Sequence, residues 1–477
     1  MKAEFGLKRV LGLKELVAIE VGTTVGAGVF VLTGMALEMG GPLLPFAYLL
    51  AAVPVVFMML SLAMLGSAVP TVGGTYRYPS RLLSPAWAFV GVWVFALGMV
   101  FGAFPLYALR GSEYLLGVFP WFEGLDPVVQ EQWIRILAIL WLTIFFLANL
   151  CGLAIAAAVQ GVMVLVLLAS LVHFGVLGLG AVSLSNMQPV LPHGIGGFLA
   201  SSALLTFALL GANSVIELGG EIRDPGRNIP RSLFISIPLV AGLYFVVGFV
   251  AAGALPWSEA AGELLVVPAR TFLGPVGLRF FILGGAVLAI TTTLNATFMW
   301  ATKSLMIVAH DGLIPAGLAG TNRFGAPYRF LAIIWALGVT TILVRVPTGT
   351  FEIFASVGGI VIFIPVMLSA LLLRKKLPER YAAAPFKLEG PLYWICPVVG
   401  VLLALVILGM LLSQLEPLPL VFFLAWLAAG AVYYVWRRPR LAAGRGRSVR
   451  SWMDEELEIL AGSESSGQGD EPGERDR

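Results

Sequence analysis

The chain has 477 residues, of which 59% are hydrophobic and only 12% charged, and its mean hydropathy is +0.93. Soluble domains carry about a quarter charged residues, so this composition excludes a monomer at home in water and makes lipid the solvent. The formal net charge of +3 says little until the charges are located, and no nucleic-acid partner is expected from it.

Residues 1–15 form a short basic start, followed by a full apolar span rather than the brief core of a cleavable signal. A bilayer asks for about 20 apolar residues per helix. Runs of that kind predict an all-α polytopic membrane protein with 12 transmembrane helices, at 16–39, 43–68, 85–109, 132–150, 153–180, 199–220, 232–254, 276–308, 328–346, 351–373, 392–413 and 418–436. The runs are continuous rather than alternating, which argues against strands. Cys151 and Cys396 are too few for a disulfide framework and read as packing residues. After the last span, residues 438–477 pass from a basic juxtamembrane stretch into an acidic tail that reads as disordered.

Lys and Arg fix the orientation. With the amino terminus in the cytoplasm and alternating spans, 25 of the 30 Lys and Arg fall inside. The remaining five, Arg110, Arg135, Arg270, Arg279 and Arg345, fall at outer ends. This bias predicts a multi-pass protein of the cell membrane with both termini cytoplasmic.

The first span contains Gly22, Thr23, Thr24, Val25, Gly26, Ala27 and Gly28. Each glycine costs about 1 kcal/mol against alanine in a helix interior, and a backbone break is tolerated in a membrane only where it lines a protein cavity. The sixth span repeats the feature at Leu210, Gly211, Ala212, Asn213 and Ser214. Gly26 and Gly211 each fall in the first helix of a five-helix block. The pattern predicts a 5+5 inverted repeat (16–180 and 199–373) with helices 1 and 6 broken, plus two C-terminal helices within 391–437. The N–H groups of Gly26, Ala27 and Gly28 then form a positive half-helix end for a carboxylate. Carbonyls near Thr24, Phe207 and Leu210 form the negative end for an ammonium, and a compact zwitterion satisfies both.

These residues resemble a known family. The run Gly22–Gly34 (GTTVGAGVFVLTG) is similar to the first-helix signature of the amino acid–polyamine–organocation (APC) permeases, which share the leucine-transporter-like fold. Pro70–Tyr78 (PTVGGTYRY), Glu221–Arg231 (EIRDPGRNIPR) and Ala309–Pro315 (AHDGLIP) match further family motifs in order and spacing. The resemblance implies a secondary active transporter of amino acids working by alternating access, with substrate between helices 1, 3, 6, 8 and 10. By position, Ala27 and Gly28 would hold the carboxylate, Thr24 and Leu210 would face the amine, and Phe207 would stand at an aromatic gate. Thr23, Gly26, Ala208, Gly211 and Asn213 complete the expected site. Asn213 departs from the Glu or Asp of many members. Many proton-coupled members also carry a helix-5 lysine where the register here gives Leu167.

Ionisable groups inside a membrane are functional candidates, so Glu20, Glu217 and His173 are candidates for coupling or gating; the alternative for the two acids is a vestibule position or pairing with Lys14 or Arg223. No metal or cofactor is expected beyond a coupling ion, H+ or Na+, with Thr291, Thr292 and Thr293 as possible hydroxyl donors to sodium. Two other readings stay open: a polyamine carrier or an exchanger of an amino acid for its amine, and a membrane-embedded enzyme. The enzyme reading lacks support, since three His and no HExxH or GxSxG offer no catalytic constellation.

Overall fold

The computed structural model describes residues 8–344, 348–413, 415–445 and Met453. Among them the long elements are all helical, and the extended pairings are isolated bridges, Leu11 with Ile222 and Val72 with Leu218. In chain order the helices are α1 (Leu13–Thr24), α2 (Ala27–Gly40), α3 (Leu44–Ala68), the short α4 (Gly74–Tyr78), α5 (Pro85–Leu116), α6 (Pro127–Leu150), α7 (Leu153–Leu179) and α8 (Gly194–Ala208). Then follow α9 (Pro225–Gly253), α10 (Pro275–His310), α11 (Tyr328–Val344), α12 (Thr348–Val361), α13 (Phe363–Lys376), α14 (Leu392–Ser413) and α15 (Pro417–Arg445). Nine helices among the described residues are long and apolar enough to cross a membrane, with Gly194–Thr206 and Tyr328–Val344 as shorter apolar helices. Large apolar side chains stand outward on them, as lipid demands: Val162 is 66% exposed and Leu165 70%.

The packing pairs elements from the two halves of the chain. Helix α3 lies on α9, and α6 lies on α11. Helix α8 packs on α3 as α1 packs on α9, and α12 packs on α5 as α7 packs on α10. Both α5 and α10 contain a widened π-type turn, at Met99–Ala103 and Phe281–Val287. Such turns are uncommon and cluster at functional positions.

The breaks arise where the glycine pattern predicts them. Helix α1 ends at Thr24 because Val25 (φ −80°, ψ 79°) and Gly26 (φ −116°, ψ −150°) leave the helical region before α2 begins. Helix α8 ends at Ala208, and Gly211 turns the chain at φ 153°, a region favouring glycine. Beyond Gly211 the structure departs from a simple broken helix: the rest of the sixth span is two 3₁₀ turns, Ala212–Glu217 and Gly219–Glu221. Here the backbone turns to its neighbours, with Glu217 C=O accepting from Gly73 N–H at 3.0 Å. A Cβ on Gly219 would stand 2.4 Å from the Thr71 carbonyl oxygen.

The first and last described helices, α1 and α15, both reach one end of the bundle. Arg223 N–H donates to Leu11 C=O at 2.8 Å, while Tyr433 OH and Arg437 Nε donate to Leu313 and Gly312 carbonyls. This is the terminal end; the connections around 117–126, 180–197 and 254–274 make the far end. Helix α15 runs past the expected limit of 436 to Arg445. Most of the remaining tail, like residues 1–7, lies outside the described residues.

Candidate functional site

Between the two breaks lies a cavity of about 80 Å³. Thr23 comes from α1, Met99, Ala103 and Tyr107 from α5, and Leu210, Gly211 and Asn213 from the second break. Thr293, Thr297 and Trp300 come from α10, and Ala355, Ser356, Gly359, Ile360 and Phe363 from α12 and α13. No charged side chain is among these residues, and most of the wall is carbon. Its polar groups are hydroxyls, the Asn213 amide and the Trp300 indole, whose buried Nε1 has no hydrogen-bond partner. A buried donor without an acceptor is costly, and it stands in the wall of a cavity that a ligand could occupy.

The two breaks touch. A Cβ on Gly211 would lie 2.7 Å from Thr24 Cα and N, so only glycine allows both this approach and the positive φ. Tyr244 of α9 ties the ends together: its OH donates to Thr24 C=O at 3.1 Å and lies 3.4 Å from Ala208 C=O. Sequence reasoning missed Tyr244, which looks like any apolar-span tyrosine until the fold brings it to both helix ends. On the other side of α1, Thr293 Oγ1 lies 3.1 Å from Gly22 C=O and 3.0 Å from its own helix's Ala289 C=O. Thr291 and Thr292 hydroxyls bond within α10 alone, so only Thr293 of the three reaches α1.

Of the residues expected at the site, Thr23, Leu210, Gly211 and Asn213 line the cavity. Gly26 abuts Thr293, and a Cβ on Gly28 would meet Ala208 Cβ at 3.0 Å. Thr24 is buried, its hydroxyl donating to Glu20 C=O at 2.7 Å. The side chains of Ala27 and Phe207 lie outside the described residues. Tyr107 and the α12 residues were not among the expected site residues, because their place depends on helix rotation that an all-apolar run does not encode. Leu167 is buried; the α7 side chains set against Gly22 are Val164 and Gln160, and the Gln160 Oε1 accepts from Asn295 Nδ2 at 2.9 Å.

The three ionisable candidates separate. Both Glu20 oxygens accept hydroxyls of α9, Ser232 and Ser236, each at 2.6 Å, so Glu20 joins α1 to α9 and pairs with neither Lys14 nor Arg223. Glu217 accepts the Thr75 N–H at 2.9 Å, the Thr75 hydroxyl and the Ser304 hydroxyl at 2.8 Å. His173 stands near the far end, edge-on to Phe280 and against Gly277, remote from both breaks.

Around Glu217 the terminal end is closed by buried ion pairs. Arg81 grips Asp311 in two-pronged fashion, at 2.6 and 2.9 Å, and Tyr76 OH donates to the same carboxylate at 2.8 Å. Burial pushes the Asp311 carboxyl up, but the Arg81 guanidinium and these hydrogen bonds overcome it and hold the group at about 2. Lys303 Nζ meets Glu221 at 2.7 Å. The chain between α3 and α5, the second break and the end of α10 are thereby stitched together.

Broken helices around a neutral cavity, in an apolar helical bundle, define a membrane transport protein of the permease type. The chain matches the amino acid permease family model over residues 11–453 and belongs to that family. It is 27% identical over 462 residues to the branched-chain amino acid permease BcaP of Bacillus subtilis (strain 168), covering 90% of this chain and 93% of that protein. It is similarly related to the methylthioribose transporter of the same bacterium (26%, 91% and 94%). The vacuolar cationic amino acid transporter 2 of Arabidopsis thaliana is 28% identical over 390 residues, 78% of this chain and 61% of that longer protein. These relatives are permeases and transporters, so the enzyme reading falls.

Proposed function

We propose that the protein is a secondary active transporter of a neutral, aliphatic amino acid across the cell membrane, working by alternating access. The observation that carries this reading is the cavity at the two breaks, with no charged side chain in its wall. The half-helix ends at the breaks suit a zwitterion's carboxylate and ammonium, and the carbon wall of Met99, Ala103, Leu210, Ile360 and Phe363 suits an aliphatic side chain. A cationic side chain or a polyamine would want an acid there, and Asn213 supplies none. The name of the branched-chain relative agrees with this choice, whereas that of the cationic relative does not.

The same reading takes α1 with α2, and α8 with its 3₁₀ turns, as single crossings, α12 with α13 as another, and the chain as twelve crossings with both termini cytoplasmic. The reciprocal packing of α3, α8 with α9, α1, and the matching π-type turns in α5 and α10, support two inverted five-helix repeats at 16–180 and 199–373. Thr23, Leu210, Gly211 and Asn213 then touch substrate, the N–H groups at Ala27 and Gly28 receive its carboxylate, and Glu217 belongs to the cytoplasmic gate.

Uptake by reconstituted liposomes tests the assignment, using radiolabelled leucine, lysine, putrescine and methylthioribose under separately imposed proton and sodium gradients. Leucine should accumulate in preference to the other three, and the effective gradient names the coupling ion. Preference for lysine or putrescine would overturn the neutral-substrate reading, and preference for methylthioribose would overturn the amino acid.

A further inference from the structure

Glu20 is a buried acid with no counter-charge beside it. It lies one turn before the first break, and its backbone C=O accepts the Thr24 hydroxyl at 2.7 Å. Helix α1 packs against α9, α7, α10 and the 3₁₀ turn Ala212–Glu217. Each of these carries charged or titratable groups, yet among the described residues none pairs with Glu20. On α9, Arg227 and Arg231 are exposed, and Tyr244 donates to Thr24 C=O. On α7, His173 stands at the far end against Phe280. On α10, Lys303 is taken by Glu221, while Arg279 and His310 are exposed near its two ends. Glu217 is held by Thr75 and Ser304. On α1 itself, Lys14 is exposed and Glu15 accepts the Gly12 N–H.

The hydrogens around Glu20 can be counted. Ser232 Oγ lies 2.6 Å from Glu20 Oε1 and 3.0 Å from Ile229 C=O. A hydroxyl has one hydrogen, and an ionised Glu20 would require it at both acceptors. With a hydrogen on Oε1 the count closes. The carboxyl then donates to Ser232, Ser232 donates to Ile229 C=O, and Ser236 donates to Oε2 at 2.6 Å. An ionised carboxylate would instead stand buried with no cation, a costly arrangement. The acids of the terminal end show the contrast, since Asp311 and Glu221 each have a buried cation. The site also sits on a piece of chain able to pivot. Helix α1 is a half-helix, and Val25 and Gly26 leave helical geometry at its end. Thr23, in the wall of the central cavity, is three residues from Glu20, about 4.5 Å along the axis.

We propose that Glu20 is a proton-binding site linked to the position of α1, holding one proton while α1 lies on α9 and giving it up when α1 swings away. On opening, the carboxyl O–H bond breaks, its electron pair stays on Oε1, and water at the terminal end takes the proton; closure reverses the step. The proposal rests on the alternating-access reading above, in which that end is cytoplasmic. Opening toward the cytoplasm then releases one proton, so its equilibrium shifts by up to about tenfold per pH unit and is favoured by high pH. Two measurements on the purified, full-length protein test this. Glu20→Gln keeps both hydroxyl contacts, with Nε2 donating to Ser232 and Oε1 accepting from Ser236, and should melt with the wild type. Infrared difference spectra at neutral pH should show a carboxylic-acid C=O band in the wild type that E20Q lacks. In a background with Cys151 and Cys396 replaced by alanine, Leu16→Cys places a thiol at a buried α1 position one turn before Glu20. Its labelling rate by a water-soluble methanethiosulfonate reagent, divided by the rate in the same background with E20Q, should rise with pH by up to about tenfold per unit. The division removes the thiol's own ionisation. Absence of the infrared band would overturn the bound proton, and a ratio flat with pH would overturn its link to α1. Neither readout uses leucine, so either failure leaves the substrate assignment to the uptake test.

Discussion

The central cavity and the terminal end use polarity in opposite ways. The cavity has no charged side chain in its wall and offers helix ends, hydroxyls, one amide and one indole. A few turns away, Arg81, Asp311, Lys303, Glu221 and Glu217 are all buried and all partnered. Buried charge is stable only when paired, and breaking one partner is far more costly than lacking the pair. Charge is therefore placed where two parts of the fold must hold each other, and kept out of the space where a neutral ligand must come and go.

Removing a charge at the terminal end should have the largest effect. Arg81→Ala leaves Asp311 buried and unpaired and should cost about 3–5 kcal/mol, read as a fall in the detergent melting temperature. Neutralising both, Arg81→Met with Asp311→Leu, should recover most of that loss. Equal melting of R81A and wild type would break the contrast between the regions. Next comes Gly211→Ala, which meets both an unfavourable φ and the Thr24 backbone. It should cost on the order of 1–3 kcal/mol and abolish uptake. Asn213→Asp then sharpens the comparison by bringing a charge into the neutral wall. It should shift preference from leucine toward lysine by about tenfold, near 1.4 kcal/mol, in competition uptake assays. Tyr244→Phe deletes the hydroxyl joining Thr24 and Ala208 and should cost about 1 kcal/mol.

Acid should loosen the terminal end through Asp311. Asp311 has its carboxyl lowered from 3.8 to about 2 in the fold. Its contribution is thus complete above about pH 4 and is lost as pH falls toward 2. Melting temperature measured across that window should decline in the wild type and decline less in the R81M/D311L variant.

Much of this was legible in the sequence because membrane helices write themselves as long apolar runs and their interruptions as glycine. The breaks at Gly26 and Gly211 follow from that. The 3₁₀ path after Gly211 does not, because it depends on hydrogen bonds to Gly73 and Thr75, more than 130 residues away in the chain. Tyr107 and Tyr244 were hidden for a related reason: with nearly every neighbour apolar, periodicity cannot say which face of a span looks inward. Glu20 and Glu217 stood out as buried acids, but only the fold supplies the serine and threonine hydroxyls that hold them.

The central claim is that a neutral amino acid sits in the cavity at the two breaks, and labelling at Thr297 tests it most directly. In a variant with Cys151 and Cys396 replaced by alanine, Thr297→Cys places one thiol in the cavity wall. Leucine should protect that thiol from a small methanethiosulfonate reagent, with a half-effect concentration matching the KM for uptake. Undiminished labelling at saturating leucine, in protein that still transports leucine, would contradict the account.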